Sequence, residues 1–451
     1  MAKLAINGGT KQVTEEFPSW PVFDGAEIQG ITEVVKSGKW GGKWGGAWWR
    51  CFAEDEPCPD QRPAQREKGG QISTDIPQVV LFQEEFAKYH DVKYAMACAN
   101  GSVAIEAALK ALGIGPGDEV IVPPYTFVTT ATSVLHVNAV PIFVDIDPET
   151  YNMDPARMEE AITEKTKAVI PVHFAGQCCD MDKILDIAKR HKLYVIEDCA
   201  HAHGAEWRGR KAGSLGDLGT FSFQSSKTMT SGEGGVITTN NKDLAIKCHS
   251  LIWIGREVNK PWYEFYSLGW NFRLTEFQGA ILRAQLTRLE QQVEKRMDNA
   301  RYLTEKIRNI PGINPIKWDE RATKHSFYLY MFRFDPKIWG ISRIRFQEAL
   351  AAEGVEVFNS YAAPIYQNDV FINQNFYPKG CPLNCLHYGR DLDYKAFSEK
   401  CPEAERICKE EAIWLNHPMF LGKRGGMDAI AASIQKLWDN IGELSSIPIQ
   451  S

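Results

Sequence analysis

Short apolar runs alternate with amphipathic stretches over the central part of the chain. Runs typical of buried strands occur at 94–99, 120–122, 140–144, 168–172 and 194–196. Segments with helical spacing lie between them, such as the alanine-rich stretch up to Leu112 and the stretch Met181–His191. Strands that alternate with helices predict an α/β protein with a mostly parallel sheet and helices on both faces. Sheets of this kind bind ligands at the carboxyl ends of their strands.

Helical patterns also flank this central region. The spacing predicts helices over Ala26–Lys36 and from Gln78, and a long amphipathic helix over Glu276–Ile307. After it come a strand with the sequence FYLYMFRF, a helix over Ile344–Ala352 and a last helix over Met427–Leu444. These later elements predict a smaller carboxy-terminal α+β domain. The chain is thus expected to divide into an amino-terminal segment over 1–75, a large domain over 76–308 and a small domain over 309–451.

The amino-terminal segment contains a stretch without a clear secondary-structure pattern. Trp40–Arg50 reads WGGKWGGAWWR, and Cys51–Thr74 is polar, contains proline and lacks periodicity. Loops of this length in compact proteins are usually either functional or disordered. Because four tryptophans stand beside the glycines, we expect an aromatic-rich wall that acts as a lid over a substrate or as a dimer contact.

Composition narrows the class of protein. The chain has 451 residues, of which 44% are hydrophobic and 24% charged, as in a soluble globular protein with a large core. A net charge of −6 gives no electrostatic basis for binding nucleic acid or an anionic membrane. No apolar run is long enough for a signal peptide or a membrane span, so we expect a cytoplasmic location.

Cysteines do not suggest a metal site. The chain has eleven, an odd number, and they are scattered and partly set in apolar strands, which predicts buried, reduced thiols. Four close pairs are Cys51/Cys58, Cys178/Cys179, Cys381/Cys385 and Cys401/Cys408. None has the paired spacing of a zinc ribbon or finger, so no metal is expected.

Candidate chemistry centres on Thr220–Gly235, which reads TFSFQSSKTMTSGEGG. A short apolar strand, Thr220–Phe223, runs into a polar turn that holds Lys227 among serines and threonines. A lysine just past a buried strand is well placed to meet an anionic, carbonyl-bearing ligand. Desolvation or neighbouring cations would make it nucleophilic enough to form a Schiff base. The alternative is an ordinary lysine in a surface turn.

A second polar motif, Asn100-Gly101-Ser102, lies between a predicted strand and a predicted helix. Gly101 would let the backbone approach a ligand closely. The first helical N–H groups, of Val103 and Ala104, together with the Ser102 hydroxyl, would then hold a phosphate. The alternative is that Ser102 merely caps the helix.

Two more strand ends carry candidate residues. The sequence EDCAHAHG ends the strand YVIED, where a buried carboxylate is costly unless it meets a cation. Asp198 would therefore pair with a protonated ring nitrogen, and His201 would stack on that ring or reach a neighbouring oxygen. Phe127, just after Pro123-Pro124, is a candidate stacking surface. The alternatives are a helix-capping acid and a core aromatic residue.

Four strand ends thus offer four features. They are a phosphate site at Asn100, an aromatic stacking surface at Phe127, an acid for a ring nitrogen at Asp198 and an amine nucleophile at Lys227. Pyridoxal 5′-phosphate requires these four features: an anchored phosphate, a stacked ring, a charged ring nitrogen and an imine-forming lysine. The combination therefore predicts a site for this cofactor.

The motifs NGS, YTFV, EDCAHAHG, FSFQSSKTMTSGEGG and GWNFRLTE occur in this order. With them the chain resembles the DegT/DnrJ/StrS aminotransferases, which are pyridoxal-phosphate enzymes of fold type I that aminate keto-sugars and keto-cyclitols. The resemblance runs from about residue 1 to the carboxy terminus and is densest over 94–286. It implies an α/β large domain with a mostly parallel sheet and a smaller carboxy-terminal α+β domain.

The resemblance also implies a role for each candidate. Lys227 would be the Schiff-base lysine and the proton shuttle, Asp198 would hold the pyridine nitrogen, and His201 would lie against the ring or its phenolic oxygen. The remaining cofactor contacts would be Phe127, which stacks on the ring, and Gly101, Ser102 and Ser222, which bind the phosphate. Asn271 would reach the phosphate of the other subunit's cofactor, so a homodimer with shared active sites is expected.

Lysine at position 227 favours transamination over the dehydration that family members with histidine there perform. We therefore expect amino transfer from glutamate or glutamine to a keto-cyclitol or keto-sugar, similar to the scyllo-inosose aminotransferases. One alternative is an aromatising enzyme similar to the 3-amino-5-hydroxybenzoate synthases, and another is a non-catalytic regulatory protein that binds the cofactor.

Two departures from the family pattern bear on the substrate: the Cys51–Thr74 insertion, and Pro364-Ile365-Tyr366 where many relatives carry histidine.

Overall fold

The protein was analysed as a computed structural model that describes residues 3–41, 76–257, 260–261, 263–358 and 360–445. The predicted Cys51–Thr74 insertion, and the tryptophan-rich stretch beyond Gly41, lie outside these residues. None of the helices in the described part of the chain combines the length and apolar character needed to cross a membrane.

Thirteen strands form three sheets among the described residues. In chain order they are β1 Tyr94–Cys98, β2 Glu119–Val122, β3 Val140–Phe143, β4 Thr166–Val169, β5 Tyr194–Asp198, β6 Glu206–Trp207, β7 Arg210–Lys211, β8 Leu218–Ser222, β9 Gly235–Thr239, β10 Ile313–Pro315, β11 Leu329–Phe334, β12 Val357–Phe358 and β13 Ala412–Asn416. Strands β6 and β7 form the two-stranded sheet, and Glu206 makes one further antiparallel β-bridge with Lys324.

The larger sheet has seven strands in the order β1-β9-β8-β5-β4-β2-β3. Only β9 runs antiparallel to its two neighbours, so the other six strands point the same way. The predicted mostly parallel sheet is therefore confirmed. Strand β4 ends earlier than expected, ahead of Pro171, because proline offers no N–H to a neighbouring strand.

Fifteen α-helices accompany the sheets in the described ranges. They are α1 Gly25–Ser37, α2 Gln78–His90, α3 Gly101–Ala111, α4 Thr129–His136, α5 Pro155–Glu160, α6 Met181–His191, α7 Lys242–Ile252, α8 Glu276–Ile307, α9 Pro336–Trp339, α10 Arg343–Ala352, α11 Asp369–Ile372, α12 Phe397–Lys400, α13 Pro402–Arg406, α14 Arg424–Asp439 and α15 Ile441–Ser445. Helices α2 and α7 pack beside β1, and α3 packs on β8 and β9. The long helix α8 contacts α1, α2 and α14, so it joins the two ends of the chain to the large sheet.

A second, antiparallel sheet has the order β10-β11-β13-β12. The amino-terminal residues join this later part of the chain: the Ala5 N–H donates to Glu353 at 2.9 Å, and the Asn7 side chain donates to Glu443 at 3.1 Å. On the other side, the Phe143 ring at the edge of the large sheet packs on Phe371. The division of the chain at residues 75 and 308 stays a prediction.

Nine cysteines fall within the described residues, where all are free and seven are buried. This agrees with the predicted reduced, buried thiols. Burial raises the pKa of Cys178 and Cys199 well above the ordinary value, so both stay as neutral thiols that fill apolar space.

Candidate active site

Four of the parallel strands, β1, β2, β5 and β8, end at one edge of the large sheet. The predicted residues follow directly: Gly101 after β1, Phe127 after β2, Asp198 at the end of β5 and Lys227 after β8. Because parallel strands present their carboxyl ends together, motifs that are far apart in sequence share this edge.

Asp198 is the oriented acid of the site. It is the last residue of β5 and is only 4% exposed. The backbone N–H of Ala200 donates to its Oδ1 at 3.1 Å, and the Thr130 hydroxyl donates to its Oδ2 at 2.8 Å. Burial raises the pKa of this carboxyl, while the two hydrogen bonds and the charge of Lys227 oppose the rise. A buried carboxylate held in this way is suited to keep a proton on a ligand's nitrogen.

Thr130 was not among the predicted site residues. It is buried and lies in the first turn of α4. Its hydroxyl lies 3.3 Å from the Thr126 hydroxyl and also donates to Asp198. Helix α4 was not predicted either, because its sequence TTATSVLH has two threonines at its start and little helical periodicity. The only local signal for Thr130 was the hydroxyl-rich stretch that begins two residues after Phe127.

Lys227 sits against an aromatic stack. Its Nζ lies 4.6 Å from the centre of the Tyr328 ring, and that ring stacks on His201 at 4.2 Å. Tyr328 comes from the strand-like run FYLYMFRF, far along the chain, and was not predicted as a site residue. The positive charge of Lys227 also acts on Asp198, so acid, amine and imidazole form one cluster.

His201 is neutral in this cluster. Burial lowers its pKa well below the ordinary value, and the charge of Lys227 lowers it further. The Ala175 N–H donates to Nδ1 at 3.4 Å, so this ring nitrogen carries no proton. The proton therefore lies on Nε2, which can donate a hydrogen bond to an oxygen of a ligand.

The expected phosphate site needs one correction. The cap of α3 is Asn100 and not Ser102: its side-chain oxygen accepts the Val103 N–H at 3.0 Å, and its carbonyl accepts the Ala104 N–H at 3.2 Å. Those two amides are therefore already engaged and do not serve a phosphate. The amides of Gly101 and Ser102, which begin the helix, are the ones that an anion would meet.

Gly101 is required by a close approach between α3 and β8. A Cβ atom at Gly101 would lie 2.7 Å from the Cβ of Ser222, closer than two carbons can pack. The start of α3 and the end of β8 therefore meet with only the Ser222 side chain between them. The Ser222 hydroxyl lies at this junction beside Gly101, and it accepts the Gln224 N–H at 3.4 Å.

These features fit pyridoxal 5′-phosphate. A helix start next to a serine hydroxyl suits a phosphate, and a buried acid suits a protonated pyridine nitrogen. Asp198 forms no ion pair with any described residue, and burial raises the pKa of its carboxyl, a rise that a cationic ring nitrogen would oppose. Lys227 supplies the amine close by.

Two predicted residues stand apart from this cluster. Phe127 follows β2 and is 57% exposed, so its ring face is open at the same edge of the sheet. Asn271 is exposed and pairs with Trp253 through a short β-bridge, while the next residue, Phe272, accepts the Ala99 N–H at 2.7 Å. Their roles toward a cofactor stay predictions.

Tyr366, the last residue of the run Pro364-Ile365-Tyr366, does not reach the site. It is buried, and its hydroxyl donates to Glu405 at 2.9 Å while its ring packs on Phe143. Tyr361, three residues before this run, is the residue near the acid: burial raises its pKa, and so does the charge of Asp198. Its ring packs edge-on against Trp414 at 5.0 Å.

The comparisons with known proteins agree with this geometry. The sequence model of the DegT/DnrJ/EryC1/StrS aminotransferase family matches residues 60–417. A putative L-glutamine:3-amino-2,3-dideoxy-scyllo-inosose aminotransferase of Streptoalloteichus tenebrarius is 37% identical over 447 residues, covering 98% of this chain and 99% of that protein. The 3-amino-5-hydroxybenzoate synthase of Amycolatopsis mediterranei is 34% identical over 424 residues, covering 93% of this chain and 96% of that protein.

A solved structure shows the same fold. The crystal structure of a 3-amino-5-hydroxybenzoic acid synthase superposes with a TM-score of 0.77 at 32% sequence identity, covering 95% of this chain and 99% of that one. The chain therefore belongs to the DegT/DnrJ/EryC1/StrS aminotransferase family, and it is a pyridoxal-phosphate-dependent transaminase of fold type I.

Proposed function

We propose that this transaminase moves an amino group from glutamine or glutamate to a keto-cyclitol, or to a keto-sugar of similar shape. The observation that carries the proposal is the cluster of Lys227, Asp198 and His201 at the carboxyl edge of the sheet. The full-length similarity to a scyllo-inosose-type aminotransferase supports the cyclitol acceptor, and the name of that relative supports glutamine as the donor.

Each residue has a defined task in this proposal. Bound pyridoxal phosphate supplies an aldehyde for the amine and a ring that withdraws electrons. Asp198 would keep the proton on the ring nitrogen, and the His201 Nε2–H would donate to the phenolic oxygen. The Gly101 and Ser102 amides and the Ser222 hydroxyl would hold the phosphate, while Phe127 would cover one face of the ring.

Lys227 has two tasks in sequence. Its Nζ would bind the aldehyde of the cofactor in the resting enzyme and would be released when the amino group of the donor takes its place. The freed amine would then move a proton from the Cα of the donor to the cofactor, and in the second half of the reaction it would return a proton to the former ketone carbon. The Tyr328 ring below Nζ keeps the amine over the site during both transfers.

A panel of acceptors tests the function. The holoenzyme is incubated with glutamine or glutamate and with scyllo-inosose, 2-deoxy-scyllo-inosose, their 3-amino analogue or nucleotide-linked keto-sugars, and products are identified by mass. We expect amination of a cyclitol ketone with either donor. No amine from any ketone with either donor would contradict the proposal.

The similarity to 3-amino-5-hydroxybenzoate synthases favours one alternative, the dehydration and aromatisation of an aminated shikimate-like ring. That reaction yields a product that absorbs in the ultraviolet, whereas an aminocyclitol does not. A new ultraviolet band from an aminated cyclic ketone would therefore select the alternative. A third possibility, a binding protein without turnover, predicts no change in the cofactor spectrum with glutamine or glutamate.

We also propose that two copies form a dimer with shared active sites, in which Asn271 reaches the partner's cofactor. The segment before Asn271 supports this: Leu268 is 86% exposed and Trp270 is 61% exposed, and exposed apolar patches of this kind are typical of interfaces.

Leu268→Asp is expected to weaken self-association by at least about tenfold, because burial of a leucine contributes about 1.5–3 kcal/mol. Light scattering during size-exclusion chromatography over a dilution series measures this change. Leu386→Asp is the matched control, since Leu386 is fully exposed elsewhere on the chain. A wild-type protein that stays monomeric at all concentrations would contradict the dimer.

A further inference from the structure

Two side chains from opposite ends of the chain meet at the peptide groups just before Lys227. The Trp20 indole N–H donates to the Ser225 carbonyl at 2.9 Å. The His417 ring donates from Nε2 to the Ser226 carbonyl at 3.0 Å. Consecutive carbonyls of the lysine turn are therefore held by the amino-terminal segment and by the segment after β13.

The two rings also support each other. Trp20 and His417 pack edge to face, with centres 4.5 Å apart and planes at 85°. His417 is completely buried, so its position is set by the surrounding core. The Tyr328 hydroxyl adds a third contact, 3.1 Å from the Ser226 hydroxyl.

The turn itself has few internal restraints. Ser225 and Ser226 are exposed, and the hydrogen bonds inside the turn centre on Gln224. Its carbonyl accepts the Lys227 N–H, its side chain accepts from Ser226 and donates to the Ser225 hydroxyl, and its own N–H donates to the Ser222 hydroxyl. Those bonds leave the Ser225 and Ser226 carbonyls unengaged. Rotation of either peptide group would swing the Lys227 side chain, so the orientation of both carbonyls decides where Nζ points.

His417 can act only as a donor in this contact, because a carbonyl oxygen only accepts. Burial lowers the pKa of His417 well below the ordinary value, and the charge of Arg296 lowers it further. The ring is therefore neutral, with its single proton on Nε2 facing Ser226.

We propose that Trp20 and His417 are positioning residues for Lys227, which fix the two peptide groups before it and thereby aim its amine at the reacting carbon. The inference rests on the proposed role of Lys227. In this role both residues act through the backbone of the turn, since each donates to one of its carbonyls. Small losses of alignment at a reacting group lower rates strongly, by about 10²-fold for an ångström-scale displacement.

Four variants of the holoenzyme test this role. Trp20→Phe keeps an aromatic ring but removes the N–H, and His417→Leu removes the donor. His417→Gln keeps an N–H donor where Nε2 stands and is the rescue variant. The control is Trp318→Phe, whose indole N–H also donates to a backbone carbonyl, that of Ala322 at 2.7 Å, in a different loop.

We expect Trp20→Phe and His417→Leu to lower kcat for the donor half-reaction by about 10- to 10²-fold, with little change in the donor KM. They should also shift the pH midpoint of the visible band of the lysine-bound cofactor, a readout independent of turnover. His417→Gln should restore most of both properties, and Trp318→Phe should change neither. Melting temperatures identify any variant that has lost activity only because it is unfolded. If His417→Leu is unfolded, the result for Trp20→Phe decides whether the inference holds.

Unchanged kcat and an unchanged pH midpoint in folded Trp20→Phe would overturn the inference while leaving the role of Lys227 intact. Failure of the proposed function has a different signature. Borohydride reduction of the wild-type holoenzyme would then leave the peptide containing Lys227 without the mass of the cofactor.

Discussion

Replacement of Lys227 by alanine is expected to lower kcat by at least about 10³-fold, because it removes the amine that we propose binds the cofactor covalently and carries the proton. The visible absorbance of the lysine-bound cofactor should disappear at the same time. Steady-state assays with glutamine, together with spectra of the purified variant, measure the two effects. The environment of the residue is consistent with this result, since Nζ lies over the Tyr328 ring and beside Asp198 and His201.

Two further variants separate chemistry from charge. Lys227→Arg keeps the positive charge but cannot bind the aldehyde, so it should be as inactive as the alanine variant. Lys110→Ala, which removes only an ion pair with Glu106 on the surface of α3, should retain activity. Full turnover by Lys227→Ala would contradict the assignment of Lys227 as the Schiff-base lysine.

Asn in place of Asp198 is expected to lower kcat by about 10²–10³-fold, the usual cost of removing one preorganised charge from a site. The amide cannot hold a proton on the ring nitrogen, so the cofactor loses much of its capacity to withdraw electrons. The cofactor should still bind through its phosphate, because the Gly101 and Ser222 junction is untouched. The rate at which glutamine converts the cofactor spectrum measures the loss directly.

The neighbouring threonine gives a graded test of the same interaction. Thr130→Val removes the 2.8 Å hydrogen bond that orients Asp198, and should lower the rate by roughly tenfold, the value of a hydrogen bond to a charged group. Asp217→Asn is the matched control: that carboxylate accepts the Val195 N–H at 2.8 Å near the opposite end of β5. If Asp217→Asn lost as much activity as Asp198→Asn, the loss would reflect the sheet and not the site.

Elements with strong local signals could be predicted closely from the sequence. Helix α8 has the predicted bounds because Thr275 and Gln278 form a capping box at its start and its apolar spacing is regular. Helix α6 also has the predicted bounds, with Asp180 as its cap. Strand β9 was missed because it follows a glycine cluster and contains two buried threonines, whose hydroxyls donate to the Gly213 and Asp217 carbonyls.

The site was predictable where a residue type identifies its own chemistry. An amine after a strand and an acid at a strand end indicate a cofactor that needs both, and the motif order indicates the family. Residues that act only by orienting another residue have no residue type or motif in the sequence that identifies their role. Thr130 serves Asp198 from 68 positions away, and Trp20 serves the lysine turn from about 200 positions away, so only the folded chain reveals them.

The contact between His417 and the lysine turn also sets an order of events during synthesis. Lys227, Asp198 and Gly101 leave the ribosome long before residue 417, and large chains fold from the amino terminus as they emerge. A nascent chain that stops short of His417 contains Lys227, Asp198 and Gly101 but lacks the second half of the proposed restraint on the turn. If that restraint aims Lys227, the alignment of its amine is a late step, which follows the docking of strand β13 and the segment behind it.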